Sequence, residues 1–221
     1  MKNIIIYGAS GHAKMIVDII HKNNKYTIKG FLDSYKSLNK TIYDYKIIGN
    51  LDMLPSLIKE QDIYGIIIAI GDNYTRERAY NKIKNIAPNL KFVSSVHPSA
   101  ILADDIILPQ GVVIMPGAVA NANAQIGEFC ILNTKSSLGH DSTMADFSSL
   151  ASGVIVGGNV KIGRCSAICL SASIVHNVTI GNHTVVGAAS LVLKAVGDYK
   201  LVFGSPIDKV EDREANSKYL G

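Results

Sequence analysis

The chain of 221 residues predicts two architectures in series: a small α/β domain of Rossmann-like character, then a parallel β-helix. Three observations carry this prediction. Strand and helix signals alternate from residue 1 to about 98. From Leu102 to Val192 every sixth residue is aliphatic. The residue four places after each of these is small or β-branched, which suits a narrow, tightly wound core.

In the first part, "NIIIYG" is a buried-strand run and "HAKMIVDIIHKN" has apolar residues at helical spacing. "YTIKGFLD" is a second strand, "LDMLPSLIKE" a short helix and "YGIIIAIG" a third strand of parallel-sheet character. "YTRERAYNKIKN" is a helix whose Arg76 and Arg78 are expected to be solvated charges, and "LKFVSSVH" is a last strand. This order predicts a parallel sheet with right-handed crossovers.

In the second part the aliphatic series runs from Leu102, Leu108 and Ile114 to Ile180, Val186 and Val192. The small series includes Val112, Ala118, Ser136, Ser148, Ser166 and Thr184. Gly127, Gly139, Gly157, Gly163, Gly181 and Gly187, with Asn121 and Asn133, follow an aliphatic position directly. Glycine and asparagine there are expected to form left-handed corners. With three hexapeptides per coil the segment makes about five coils, and residues eighteen apart stack on one edge.

This register places His140 outward on a corner. Its stack-mates are Ala122, Gly158 and His176. At a strand spacing of ~4.8 Å, Gly158 lies one coil away and His176 two coils, about 10 Å. An outward imidazole beside a backbone without a side chain is a place where a thioester can approach. Asp141 follows at once, and a carboxylate there fixes the imidazole's tautomer and raises its basicity.

Composition bounds the function. Residues 1–96 carry 14 Lys and Arg against 8 Asp and Glu, whereas residues 97–199 carry 4 against 6. The cationic first part favours an anionic small molecule such as a nucleotide diphosphate, although a solvated lysine surface explains it equally. No arginine-rich run or basic helix points to nucleic acid. The N-terminal apolar run is too short for a signal peptide and no run is long enough to cross a bilayer, so a soluble, cytoplasmic protein is expected. Cys130, Cys165 and Cys169 form no CxxC pair and imply no disulfide framework.

The pattern [LIV]-[GAN]-x-x-[STAV]-x resembles the hexapeptide-repeat acyltransferases, whose β-helix is left-handed. A closer resemblance rests on "IIIYGASGHAK", "FLDS", "AIGDN", "VHPSAIL", "ILNTKSSLGHD", "GGNVKIG" and "VFGSPIDK", in that order. Together these resemble the two-domain nucleotide-amino-sugar N-acetyltransferases, relatives of the sialic acid O-acetyltransferases and of the bacillosamine-pathway enzyme, over residues 1 to about 209. The resemblance implies a nucleotide-sugar domain at 1–98, a β-helix acetyltransferase domain at 99–199, and a tail at 200–221 whose first part joins the CoA site. It implies acetyl-CoA as co-substrate, a homotrimer with active sites between subunits, and a role in surface polysaccharide or lipopolysaccharide (O-antigen) synthesis. His140 falls on the general base, Asp141 on its acidic partner, and Gly158 on the backbone N–H that meets the thioester oxygen. CoA is expected against Gly158, Leu170, Ala188, Gly204, Pro206 and Lys209. A second family histidine, in "FSH", is replaced here by Ser149.

The loop "YGASGHAK" follows a strand and opens a helix, so its N–H groups can cradle phosphate. It departs from GxGxxG, which suits the mononucleotide of a nucleotide sugar better than a dinucleotide. Phosphates are expected near Gly8, Ser10, Gly11 and His12, the ribose near Asp33, and the base near Ala69, Gly71 and Asn73. His97 is expected to be structural, and His176 and His183 to be edge residues.

The expected reaction is acetyl transfer to the amine of a nucleotide-linked sugar such as a 4-amino-4,6-dideoxyhexose. Thiolate leaves without a protein nucleophile, so ternary-complex kinetics are expected and the cysteines have no role. The alternatives are an O-acetyltransferase acting on a sugar such as sialic acid, and a metal lyase like the γ-type carbonic anhydrases using His140, His176 and His183. A non-catalytic hexapeptide-repeat scaffold is the remaining alternative.

Overall fold

The computed structural model describes residues 1–220. The α/β part is built on β1 (Lys2–Tyr7), α1 (Gly11–Asn23), β2 (Tyr26–Leu32), β3 (Thr41–Ile42), β4 (Tyr45–Gly49), α2 (Leu54–Glu60), β5 (Ile63–Ile68), α3 (Asn73–Ile86) and β6 (Lys91–Phe92). The sheet order is β3-β4-β2-β1-β5-β6. Pairing is parallel except for the β3–β4 hairpin, which the expected strand–helix alternation did not include. Ile4, Ile6 and Ile67 pack under α1, while Ile5, Ile66 and Ile68 pack under α2 and α3. Both faces of the central strands are therefore buried, which is why they read as unbroken isoleucine runs.

The expected last strand over Leu90–His97 is two strands. β6 closes the α/β sheet, and β7 (Ser95–Val96) already belongs to the β-helix, pairing with Val113–Ile114.

The β-helix has three faces. The first stacks β7, Val113–Ile114, Ile131–Leu132, Ser149–Leu150, Ala167–Ile168, Val185–Val186 and Lys200–Gly204. The second runs from Ile101–Leu102 to Leu191–Val192, and the third from Gln125–Ile126 to Thr179–Ile180. Partners lie eighteen residues apart, as in Ile131↔Ser149 and Leu132↔Leu150. The last coil is shorter by two, pairing Val185 with Leu201. The chain then turns back in an antiparallel strand, Ile207–Asp212.

The aliphatic series fills the interior: Leu138, Leu150, Val186 and Val192 are fully buried. Each such side chain contributes roughly 1.5–3 kcal/mol. The small series is inward too, and the hydroxyls of Ser142, Ser166 and Thr184 satisfy corner backbone groups, whereas Ser190 Oγ has no partner. Ser142 Oγ donates to the Gly157 carbonyl (2.9 Å) and accepts from Val160 N–H (3.0 Å). A buried polar group without such partners would cost about 1–3 kcal/mol.

The corners correct one expectation. The left-handed residues are two places beyond the expected ones, at a strict interval of six, and include Asn123, Phe129, Asp141, Phe147, Asn159, Asn177 and His183. The glycines expected there, Gly139 and Gly157 among them, do not have positive φ. They are required by close approach of the next coil. A methyl at Gly139 would overlap the Gly157 carbonyl, and one at Gly157 would lie 2.8 Å from the His176 nitrogen.

The α/β domain is docked on the first face and on the edge between the third and first faces. α1 packs with Val113, Met115 and Ile131, and α3 with Phe129, Phe147 and Cys165. Arg76, expected to be solvated, is 1 % exposed. Its guanidinium donates to the carbonyls of Ile70, Gly71, Phe129 and Phe147 and to Asn73 Oδ1. A helical pattern read in isolation cannot reveal a second domain waiting for one of its charges.

Candidate functional site

His140 stands on the edge between the second and third faces, with its side chain 63 % exposed. Its Nδ1 lies 2.7 Å from Asp141 Oδ2. A carboxylate only accepts, so the shared proton sits on Nδ1 and Nε2 is left as a free acceptor. Asp141 has φ 58°, a backbone position that Asn and Asp tolerate best. Asn123 and Asp141 form one side-chain rung of this edge, with Asn123 Nδ2 donating to Asp141 Oδ1. The bond from His140 holds the Asp141 carboxyl below its ordinary value, and the Asn123 bond adds to this. The aspartate is therefore a corner residue that also orients the ring.

Gly158 lies beside that ring, as the register requires: a methyl on it would come within 2.5 Å of His140 Cε1. Its N–H is not free, however. It donates to His176 Nδ1 at 2.8 Å. The two imidazoles, expected to be about 10 Å apart, have ring centres 6.5 Å apart because His176 folds down across one coil. His183, by contrast, is on the edge between the third and first faces, stacked on Tyr199 at 5.1 Å. His140, His176 and His183 do not converge on one point, and no group of three metal-binding side chains occurs among the described residues.

At the N-terminal loop, Ser10 precedes α1 without a side-chain cap. Asp33 serves the loop itself: Oδ2 accepts from Ala9 N–H, and Oδ1 accepts from the N–H groups of Tyr35 and Lys36. Lys36 Nζ reaches the Ala9 carbonyl. Oδ2 alone retains a lone pair for a ribose hydroxyl. Ala69 and Asn73 are fully buried and cannot touch a base directly. Asn73 instead ties the domains together, its Nδ2 donating to the carbonyls of Cys165 and Ser166.

His12 and Gly71 open onto a cavity of about 700 Å³ between the N-terminal loop, the first face and the C-terminal segment. Its floor is apolar, with Ile131, Leu150, Ile168 and Val185. Leu170 and Ala188 line it from the edge between the first and second faces. His12 Nε2 is buried without a partner. Burial, helped by Arg76, lowers its pKa to about 4, so the ring is neutral at pH 7 and offers a hydrogen bond rather than a charge. The end of the chain, beyond the part of the tail expected at the CoA site, supplies the cavity's outer wall. Arg213, Ser217, Lys218, Tyr219 and Leu220 line it, and Tyr219 Oη accepts from Asn73 N–H at 3.0 Å.

The expected cofactor set is thus dispersed. Gly158 is on the His140 edge, Leu170 and Ala188 are on another edge, and Gly204, Pro206 and Lys209 belong to the terminal hairpin. Pro206 borders a separate groove with Leu193, Lys194 and Lys200. Cys130 and Cys165 are pushed up to about 11 and about 12, burial being the main cause in each, so both are thiols at neutral pH.

Residues 3–83 match the family model described as the PglD N-terminal domain. Among solved structures, the chain is similar to a perosamine N-acetyltransferase from Caulobacter crescentus, crystallised as a histidine-to-asparagine variant with CoA and GDP-perosamine. That pair is 27 % identical with a TM-score of 0.89, covering 96 % of this chain and 97 % of the other. The acetyltransferase domain of PglB from Neisseria gonorrhoeae, with acetyl coenzyme A, is 26 % identical with a TM-score of 0.86, covering 94 % and 98 %. A curated relative, an acyl-[acyl-carrier-protein]–UDP-N-acetylglucosamine O-acyltransferase of Stutzerimonas stutzeri, is 26 % identical over 137 residues, 61 % of this chain. The chain spans about half the length of that curated relative, 52 %.

Proposed function

We propose, from a chain that joins a PglD N-terminal domain to a hexapeptide-repeat β-helix, that it transfers acetyl from acetyl-CoA to the amine of a nucleotide-linked amino sugar. The observation that carries this reading is the His140 corner. An exposed imidazole has its Nδ1 proton held by Asp141 and its Nε2 free, beside a glycine that leaves the edge open. His140 Nε2 accepts the amine proton during attack, and Asp141 stabilises the imidazolium. The Gly158 N–H meets the thioester oxygen; a donor in this role is typically worth ~3–4 kcal/mol. CoA then leaves as thiolate, which needs no enzyme nucleophile. The Caulobacter structure, holding CoA and GDP-perosamine together, supports a ternary complex.

The nucleotide sugar is assigned to the cavity at His12 and Gly71, with the phosphates at the Gly8–His12 loop. This cavity and His140 occupy different parts of one prism, which supports a homotrimer in which each site pairs His140 of one subunit with the cavity of a neighbour. Residues 1–98 then hold the nucleotide sugar and residues 99–199 carry acetyl transfer. The start of 200–221 contributes to the CoA site.

The test is an acetylation assay with acetyl-CoA and a panel of nucleotide-linked sugars bearing either an amine or only hydroxyls. Amine acceptors are expected to turn over in a sequential mechanism. His140→Ala is expected to lose about 10²–10⁴-fold in kcat with the fold retained. Preference for a hydroxyl acceptor, ping-pong kinetics, or full activity in His140→Ala would each overturn the reading.

A further inference from the structure

The Gly158 N–H is the donor that the reaction above requires, and it is already occupied. His176 Nδ1 accepts it at 2.8 Å, so the His176 proton sits on Nε2. The bond does not serve to aim the donor. The peptide that carries this N–H is fixed from its other end, where the Gly157 carbonyl accepts from buried Ser142 Oγ at 2.9 Å. The Gly158 carbonyl is held separately by Asn177 N–H at 3.0 Å. His176 itself is exposed and contributes no core packing. Within its own subunit the ring's hydrogen bond serves one purpose, satisfying the donor.

We propose that His176 is a displaceable cap on the Gly158 N–H. Without acyl-CoA, Nδ1 accepts the N–H; when acyl-CoA binds, the thioester oxygen takes it and the imidazole swings away on its own side chain. His176 thus sets what acyl-CoA must displace, and it takes no part in the proton transfer. The inference rests on the reading of Gly158 as the thioester's donor.

Two variants separate the acceptor from the ring. His176→Phe keeps the ring's bulk but has no acceptor. His176→Asn places an amide oxygen where Nδ1 stands. In His176→Phe the KM for acetyl-CoA is expected to fall roughly two- to tenfold, the range of a typical net hydrogen bond, with kcat unchanged. His176→Asn is expected to keep the wild-type KM. In the free protein the Gly158 amide proton is expected to exchange with solvent faster in His176→Phe than in the parent or in His176→Asn; acetyl-CoA is expected to move its resonance in all three proteins. An unchanged or raised KM, or a fall in kcat, in His176→Phe overturns the cap. If acetyl-CoA leaves the Gly158 resonance unmoved in His176→Phe, Gly158 is not the donor and the underlying reading fails instead.

Discussion

A single imidazole can be read from a repeat register, because a period of six decides which side chains point outward. His140 and its neighbour Gly158 were legible on that ground. The hydrogen bond from Gly158 to His176 was not, since it depends on a side chain folding across a coil, which a register does not describe. His12 shows the same division: its loop was readable, and its burial was not. That burial has a consequence for acid stability. The folded value of about 4 lies below the ordinary 6.5, so the unfolded chain binds the extra proton between those limits. The contribution is fully present above pH 6.5 and is lost as pH falls toward 4, amounting to about 3 kcal/mol at most. His12→Gln is expected to flatten this part of the stability–pH curve in denaturant titrations at pH 4.5 and 7. An unaltered slope would assign the acid sensitivity to other groups.

At the scale of the element, the strands and helices with strong periodicity were legible, and the errors fell where tertiary context decides. β3, with two residues, is too short to carry a pattern, and β4 pairs with it as a hairpin outside the strand–helix alternation. The strand expected over Leu90–His97 was one hydrophobic stretch shared by two sheets. Arg76 sits on a helix whose other side meets another domain. The corner glycines were read as left-handed, yet they answer to the coil stacked beside them. This yields a paired prediction. Gly139→Ala drives a methyl into the backbone of the next coil, which side chains cannot relieve, and is expected to cost at least about 2 kcal/mol in thermal or denaturant unfolding. Gly158→Ala meets only the His140 ring, an exposed group that can rotate away. It is expected to leave stability within about 1 kcal/mol of the parent while reducing kcat about 100-fold, the low end for loss of a properly placed general base. Equal stability losses in the two variants would contradict this account.

For the whole molecule, the proposed site is divided between subunits, and that division can be tested by mixing. Subunits carrying His140→Ala and subunits carrying Gly71→Trp, which fills the cavity, are each expected to be inactive alone. Unfolded and refolded together in equal amounts, they are expected to regain about a quarter of full activity, because random assembly reunites an intact corner with an intact cavity at that frequency. No recovery would place both parts of the site in one chain. The two-domain order and the solenoid were legible from the sequence at this scale; where the α/β domain docks was not, because contacts between domains leave no periodic trace. One further feature bears on the molecule's life in a crowded solution. The strand Ile207–Asp212 doubles back on Lys200–Gly204 and so reverses the polarity of the first face at its terminus. A stacked prism ending in unpaired rungs would invite a second prism to continue it, rung on rung, into a fibre. The doubled-back strand offers a newcomer the wrong direction, so the parallel ladder of the first face cannot be continued there rung on rung.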